Sequence, residues 1–410
     1  MNRRSLLKTL GVLGVSHTLF PGLHAQLAFA EGDRERRDAL VVVFQRGGAD
    51  GLGLVAPYAE GGRYYDRRPT TAVPEPGRKN GGLDLDGRFA LHPELAPLFD
   101  LYREGRLAVV HAAGSPDETR SHFDAQQYME FGTPGVKSAR SGWLGRHLAL
   151  TAHRSGSPFR AVGLGDVVAD SLLGPVTPLA LRSIAEFHLQ GRDGEWPRMQ
   201  AVLRRLYAGS GPLEPVARSV WSSLETLADL ARSPGGEKAY PDDVLGRGLA
   251  QVARLIKAGV GLEVATVDSD GWDTHEEQGV QNGRFAANAA AFARALAAFW
   301  ADLGDDARGV TVVVMSEFGR RVEENASAGT DHGHGGVMWL LGAGVRGGRV
   351  YGRWPGLARE QLADGDLAVT TDFRDVLGEL VTRRLGNPEV AQVFPGYRPR
   401  PLGIFEEVQG

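Results

Sequence analysis

Five short apolar runs constrain this chain more than any other feature. Ala39 to Phe44, Leu107 to Ala112, Leu262 to Val267, Val310 to Met315 and Val337 to Leu341 are almost continuously apolar, the pattern of strands covered on both faces. Such strands belong to a mostly parallel sheet, and parallel neighbours need long crossover connections, usually helices. Helical periodicity lies between several of the runs, over 94–103, 123–131, 196–206, 216–231, 242–258 and 284–303. The expected fold is α/β: a three-layer α/β/α domain around a mostly parallel central sheet. Between Thr151 and Pro241 strand signals fade. Helices separated by turns such as Gly209-Ser210-Gly211-Pro212 read there as a helical insertion or cap over 151–241, within a single domain spanning 31–410.

The first thirty residues read as a twin-arginine leader. Arg3-Arg4-Ser5-Leu6-Leu7-Lys8 precedes a mildly apolar stretch that ends in the cleavage-like Ala28-Phe29-Ala30. Ser16, His17, Pro21, Gly22 and His24 interrupt that stretch, so a spanning helix is not expected from it. The expected partner is the twin-arginine export machinery, and the expected location is periplasmic or secreted, with no stable membrane span in the mature form. That route carries folded proteins, often with a metal already inserted.

The chain has no cysteine, which excludes thiolate zinc sites, cysteine nucleophiles and disulfides. A metal site must therefore be built from Asp, Glu and His. The net charge of −4 becomes more negative without Arg3, Arg4 and Lys8, so a nucleic-acid partner is not expected.

In open α/β sheets ligands bind beyond the carboxyl ends of the strands, and ionisable groups collect there in this sequence. The first run leads into Arg46-Gly47-Gly48-Ala49-Asp50-Gly51. The second leads into a loop ending Arg120-Ser121-His122-Phe123-Asp124, and the third into Asp268-Ser269-Asp270-Gly271-Trp272-Asp273-Thr274-His275. The fourth is followed by Ser316-Glu317-Phe318-Gly319-Arg320-Arg321, and the fifth is preceded by Gly329-Thr330-Asp331-His332-Gly333-His334. Carboxylates and imidazoles without thiolates suit a divalent ion such as Zn²⁺ or Mn²⁺, one or two in number.

Each element also has a plain structural reading. Asp50 suits an Asx turn. Ser121 suits a helix N-cap, a position where helix amides also stabilise an anion such as phosphate. Asp273 and His275 suit a turn, although nearby Asp268 and Asp270 would repel without a shared cation. Arg46 and Arg320 are either surface charges or a fork for an oxyanion. There is no G-x-S-x-G elbow, no H-E-x-x-H helix and no P-loop, and Gly48 to Gly53 does not have dinucleotide-loop spacing.

At these residues the chain resembles the bacterial domain-of-unknown-function 1501 family, whose members are similar to the alkaline phosphatase and sulfatase superfamily. The resemblance covers nearly everything after Ala30. It rests on Arg46 to Gly51, Ser121 to Asp124, Gly271 to His275, Ser316 to Arg320 and Asp331 to Gly335. It implies metal ligation by Asp50, by Asp273 or its rival Asp270 with His275, by Glu317, and by His332 or His334, with Ser121 as the attacking hydroxyl; the residues themselves add Asp331 as a ligand and His122, Arg46 and Arg320 as catalytic partners. It also implies a helix near Thr371 to Leu377. Sulfatase activity is not expected, because Ser157-Pro158-Phe159-Arg160 lacks the intervening residue of the sulfatase motif. Glu317-Phe318 stands where relatives carry Asp-His, so two metals reduce to one if that ligand is lost.

The expected function is an exported metal-dependent hydrolase of phosphate mono- or diesters acting on a small-molecule or envelope substrate. Two other readings compete with it. One is a catalytically degenerate metal-binding or envelope-assembly protein of the same fold, and the other is a metal-independent serine esterase using Ser121 with His122 or His275.

Overall fold

Strand β1 (Ala39–Gln45) is buried along its whole length and forms the centre of the sheet. In the computed structural model, which describes residues 38–151, 157–185, 196–206, 214–232 and 239–406, the other sheet strands are β2 (Leu107–Gly114), β3 (Ala161–Leu164), β4 (Leu179–Leu181), β5 (Val264–Ser269), β6 (Val310–Ser316), β7 (Gly336–Gly342), β8 (Arg349–Tyr351) and β9 (Thr371–Asp372). Their spatial order is β8-β2-β7-β6-β1-β5-β3-β4, with β9 paired to β2. Every pairing is parallel except those of β7, which runs antiparallel to both β2 and β6. The fold is α/β with a mostly parallel sheet, as its apolar runs require.

Alternation along β1 divides the core. Val41 and Val43 face one side, with Leu98 of α1 (Ala96–Arg103), Leu249 and Leu255 of α6 (Val244–Lys257), and Phe292, Leu296 and Phe299 of α7 (Arg284–Leu303). Leu40, Val42 and Phe44 face the other. There they meet Met129 of α2 (His122–Phe131), Trp143, Leu144 and Leu148 of α3 (Trp143–Leu150), and Phe373, Val376 and Leu377 of α8 (Phe373–Glu379). Each such side chain contributes about 1.5–3 kcal/mol by leaving water.

The stretch 151–241 differs from its expected all-helical character. Helices α4 (Trp196–Leu206) and α5 (Glu214–Arg232) lie in it, but so do strand β3 and the edge strand β4. Strands of four and three residues are too short to stand out as apolar runs; β5 offers β3 an edge to pair with, and β3 in turn offers one to β4. The expected leader, 1–30, lies outside the described residues. Among the described residues, no helix is long and apolar enough to cross a membrane.

The register sets the site. Gln45 pairs with Ser269 on one side and Ser316 on the other, so three loops leave the sheet at one level. Because β7 runs the opposite way, the loop that enters it, not the one that leaves it, lies at that same edge. Gly336 accordingly pairs with Ala113 near the end of β2. This is why the fifth ionisable cluster precedes its strand while the others follow theirs.

Candidate metal centre

Loops from β1, β5 and β6, the entry to β7 and the first turn of α2 meet at this edge. Close packing of backbone brings them together. Gly47 has φ 114°, and a Cβ on it would lie 2.5 Å from the backbone nitrogen of Asp273. Gly47→Ala is expected to cost at least about 1–3 kcal/mol through strain and displaced backbone, measurable as a lower midpoint in chemical denaturation. An unchanged midpoint would show that the two loops do not press together there.

His122, Asp273 and His332 place their potential ligand atoms within 4.8 Å of one another. His275 lies beside this group of three: its Nε2 is 2.9 Å from His332 Nε2 and 3.1 Å from Asp273 Oδ1. Asp273 Oδ1 is 3.4 Å from His332 Nε2 and 3.6 Å from His122 Nε2. The other nitrogen of each ring faces a group that only accepts when ionised or carbonyl in nature. His122 Nδ1 lies 2.8 Å from Glu317, His275 Nδ1 3.0 Å from Asp331, and His332 Nδ1 2.8 Å from the Arg120 carbonyl. With the rings neutral, each Nδ1 carries the proton and each Nε2 lone pair turns inward.

Three imidazole nitrogens thus converge on Asp273 Oδ1, which also accepts from the Arg320 guanidinium. His122 Nε2 is buried with no hydrogen-bond partner among the described residues. A divalent ion among these atoms would draw the three lone pairs and the carboxylate together. Ligands about 2.0–2.1 Å from a tetrahedral Zn²⁺ lie roughly 3.3 Å apart, which these separations straddle. Outer hydrogen bonds from each Nδ1 to a carboxylate or carbonyl are the usual support of ligating histidines. The donor set fits a divalent ion.

Electrostatics support the arrangement. Burial would raise the Asp273 carboxyl, but the hydrogen bond and charge of Arg320 bring it below its ordinary range. Asn325 and His275 hold Asp331 low. Burial, with the nearby Arg320 and the other imidazoles, keeps His332 below the ordinary histidine value. The hydrogen bond to Glu317 raises His122 against its burial.

Several expected site residues lie elsewhere. Asp50 is wholly buried, and both its oxygens bind Arg68, at 2.6 and 3.0 Å, while Gln278 donates to Oδ2 at 2.7 Å. It locks the loops and does not face the imidazole cluster. Glu317 lies behind His122 and accepts also from Gln126 and the Gly47 amide, both at 2.9 Å. His334 Nε2 lies 2.8 Å from the Ser115 carbonyl, and Asp331 supports His275 from outside. Arg320, with no exposed side-chain surface, donates to the carbonyls of Gly47, Gly48, Thr330 and Trp272 and to Asp273, which occupies its fork. Arg46 is similarly engaged, with Asp268 at 3.0 Å and Glu130 at 2.9 Å. Ser121 is exposed and caps α2, its hydroxyl accepting from the Asp124 amide at 3.4 Å.

Sequence reasoning missed Gln126, Glu130, Arg68, Gln278 and Asn325. Gln126 and Glu130 carry a readable signal, since with His122 they recur every four residues along α2 and so share a face. Glu130, buried beside Arg46, is pushed up to about 7 by burial, which outweighs the arginine. Arg68, Gln278 and Asn325 carry no such pattern. A cavity of about 750 Å³ opens beside Asp273 and His275, with Glu276, Glu277, Arg284 and Ser327 on its walls.

No curated protein matches the chain. Among solved structures it is similar to a protein of the alkaline phosphatase superfamily from Vibrio parahaemolyticus, at 10% identity and a TM-score of 0.33, over 78% of this chain and 63% of that one. It is also similar to BT1596, a 2-O GAG sulfatase, at 11% identity and a TM-score of 0.27, over 77% of this chain and 66% of that one. The chain spans less than two thirds of the length of either protein, and likenesses this distant carry no argument about chemistry. The family comparison is firmer: a sequence profile matches residues 107–378, from β2 through most of α8, and on that match the chain belongs to the family described as protein of unknown function (DUF1501).

Proposed function

We propose that this protein is a hydrolase of phosphate mono- or diesters that depends on one divalent ion, zinc or manganese, held by His122, Asp273, His275 and His332. The observation that carries the reading is the convergence of three Nε2 lone pairs on Asp273 Oδ1. When bound, the ion supplies Lewis acidity at the ester. Asp331 orients His275, and the Arg120 carbonyl orients His332. The cavity beside Asp273 and His275 admits the substrate, and Arg284 on its wall is the cation placed to meet an ester oxyanion, since Arg46 and Arg320 are engaged within the protein. The proposal includes export through the twin-arginine machinery to the periplasm or beyond, for which Arg3-Arg4 and Ala28-Phe29-Ala30 are the support.

The test is turnover of p-nitrophenyl phosphate and bis-p-nitrophenyl phosphate by zinc- or manganese-loaded protein, before and after chelation. Turnover that needs the metal and falls to background in Asp273→Ala is expected. Equal rates after the metal is stripped would sink the reading. The engagement of Arg46 and Arg320 favours a second reading, a metal-binding or envelope-assembly protein, whose sign is bound metal without turnover. A serine esterase has less support, because among the described residues no histidine hydrogen-bonds the Ser121 hydroxyl.

A further inference from the structure

Glu317 is anomalous for a buried carboxylate. Its side chain has no exposed surface, yet among the described residues no lysine or arginine pairs with it. Buried carboxylates ordinarily need a cationic partner. Its neighbours are instead His122 Nδ1 at 2.8 Å, Gln126 Nε2 at 2.9 Å, the Gly47 amide at 2.9 Å and the Ser316 hydroxyl at 2.9 Å. Gln126 cannot turn over freely. Arg46 only donates, so the Gln126 oxygen faces its guanidinium, at 3.4 Å, and the amide nitrogen must face Glu317. The stripe His122, Gln126 and Glu130 on α2 thus meets a chain running from Arg46 through Gln126 to Glu317 and back to His122.

We infer that Glu317 is the positioning residue of His122: it fixes the ring as the Nδ1–H tautomer and aims the Nε2 lone pair at Asp273, while Gln126, oriented by Arg46, keeps the carboxylate in place. An ionised carboxylate offers Nδ1 no proton, so the ring cannot take the other tautomer without losing this bond. The negative charge behind the ring also makes Nε2 a stronger donor to a cation. His275 and His332 lean on weaker supports, the half-exposed Asp331 and a backbone carbonyl. The role in ligand strength rests on the metal reading above, whereas the tautomer does not.

Two measurements test it on the full chain. Long-range ¹H–¹⁵N NMR of the metal-free protein reads the His122 tautomer, and zinc titration against a competing chelator reads affinity. The wild type is expected to show Nδ1–H. Glu317→Ala is expected to lose that preference and to bind zinc 10–100-fold more weakly, while Glu317→Gln, which keeps an acceptor oxygen, restores the tautomer. Gln126→Leu is expected to weaken zinc binding with little change in melting temperature, and it carries the test if Glu317→Ala fails to fold. An Nε2–H ring in the wild type, or unchanged zinc affinity in Glu317→Ala and Gln126→Leu, overturns the inference. If the wild type binds no zinc, the metal reading falls and the NMR result alone decides the role of Glu317.

Discussion

Asp50→Asn is expected to destabilise the fold by about 3–5 kcal/mol while leaving the metal site able to bind its ion. The substitution strips the carboxylate from a fully buried pair and leaves the Arg68 guanidinium charged and uncompensated. Arg68 also holds the Val322 and Arg321 carbonyls, and Gln278 links Asp50 to the hydroxyls of Thr274 and Thr330. The loss is therefore expected to spread across the loops after β5 and β6. Chemical denaturation reads it, and 3–5 kcal/mol is a large part of the roughly 5–15 kcal/mol by which domains are stable. Adding Arg68→Met to Asp50→Asn is expected to recover part of the loss, since the stranded charge goes with it. Full additivity of the two changes would show that the pair does not interact.

The same pair gives a pH dependence with a definite sign. Burial alone would raise the Asp50 carboxyl, but Arg68 and Gln278 outweigh it and hold it below 3.8. A depressed folded value contributes stability that is fully present above the unfolded value. That stability is lost as the pH falls through the folded value. Wild-type stability is thus expected to fall on acidification below about 4, and more steeply than in the Asp50→Asn, Arg68→Met variant.

His332→Ala is expected to produce the other large effect, on the ion and not on the fold. It removes one of the converging lone pairs and opens a half-buried position, so the melting temperature of the metal-free protein should change little. Zinc affinity should fall by more than the roughly 100-fold that an outer partner is worth, because a direct ligand is lost. Asp50→Asn with metal retained, beside His332→Ala with metal lost, separates the residue that holds the loops from one that faces the ion. The reverse pattern would return Asp50 to the ligand set.

The fold was legible because burial on both faces writes itself into a chain as continuous apolar runs, and all five such runs became strands of the sheet. The short strands β3 and β4 were not, since β3 forms on the edge of β5 and β4 on the edge of β3. The meeting of His122, Asp273, His275 and His332 at one edge follows from strand direction. Their loops could be read, and so could the oddity of a cluster preceding the fifth run, although its cause, the reversed direction of β7, could not.

Which acid joins the imidazole cluster was beyond the sequence. Asp50 and Glu317 sit at strand ends just as ligands do. What removes them from the centre is a partner remote in the chain, Arg68 for one and His122 for the other. Arg46 and Arg320 were likewise open between surface charge and oxyanion fork until their acceptors came into view.

If three imidazoles and Asp273 hold a cation, the metal content of the purified protein shows it. The protein is purified without any chelator, and its transition metals are counted per chain. About one equivalent of zinc or manganese is expected, lost on mild chelation and recovered on re-addition, with His332→Ala carrying little. A wild-type protein that is metal-free as purified and takes up none on titration, while remaining folded, would contradict the account.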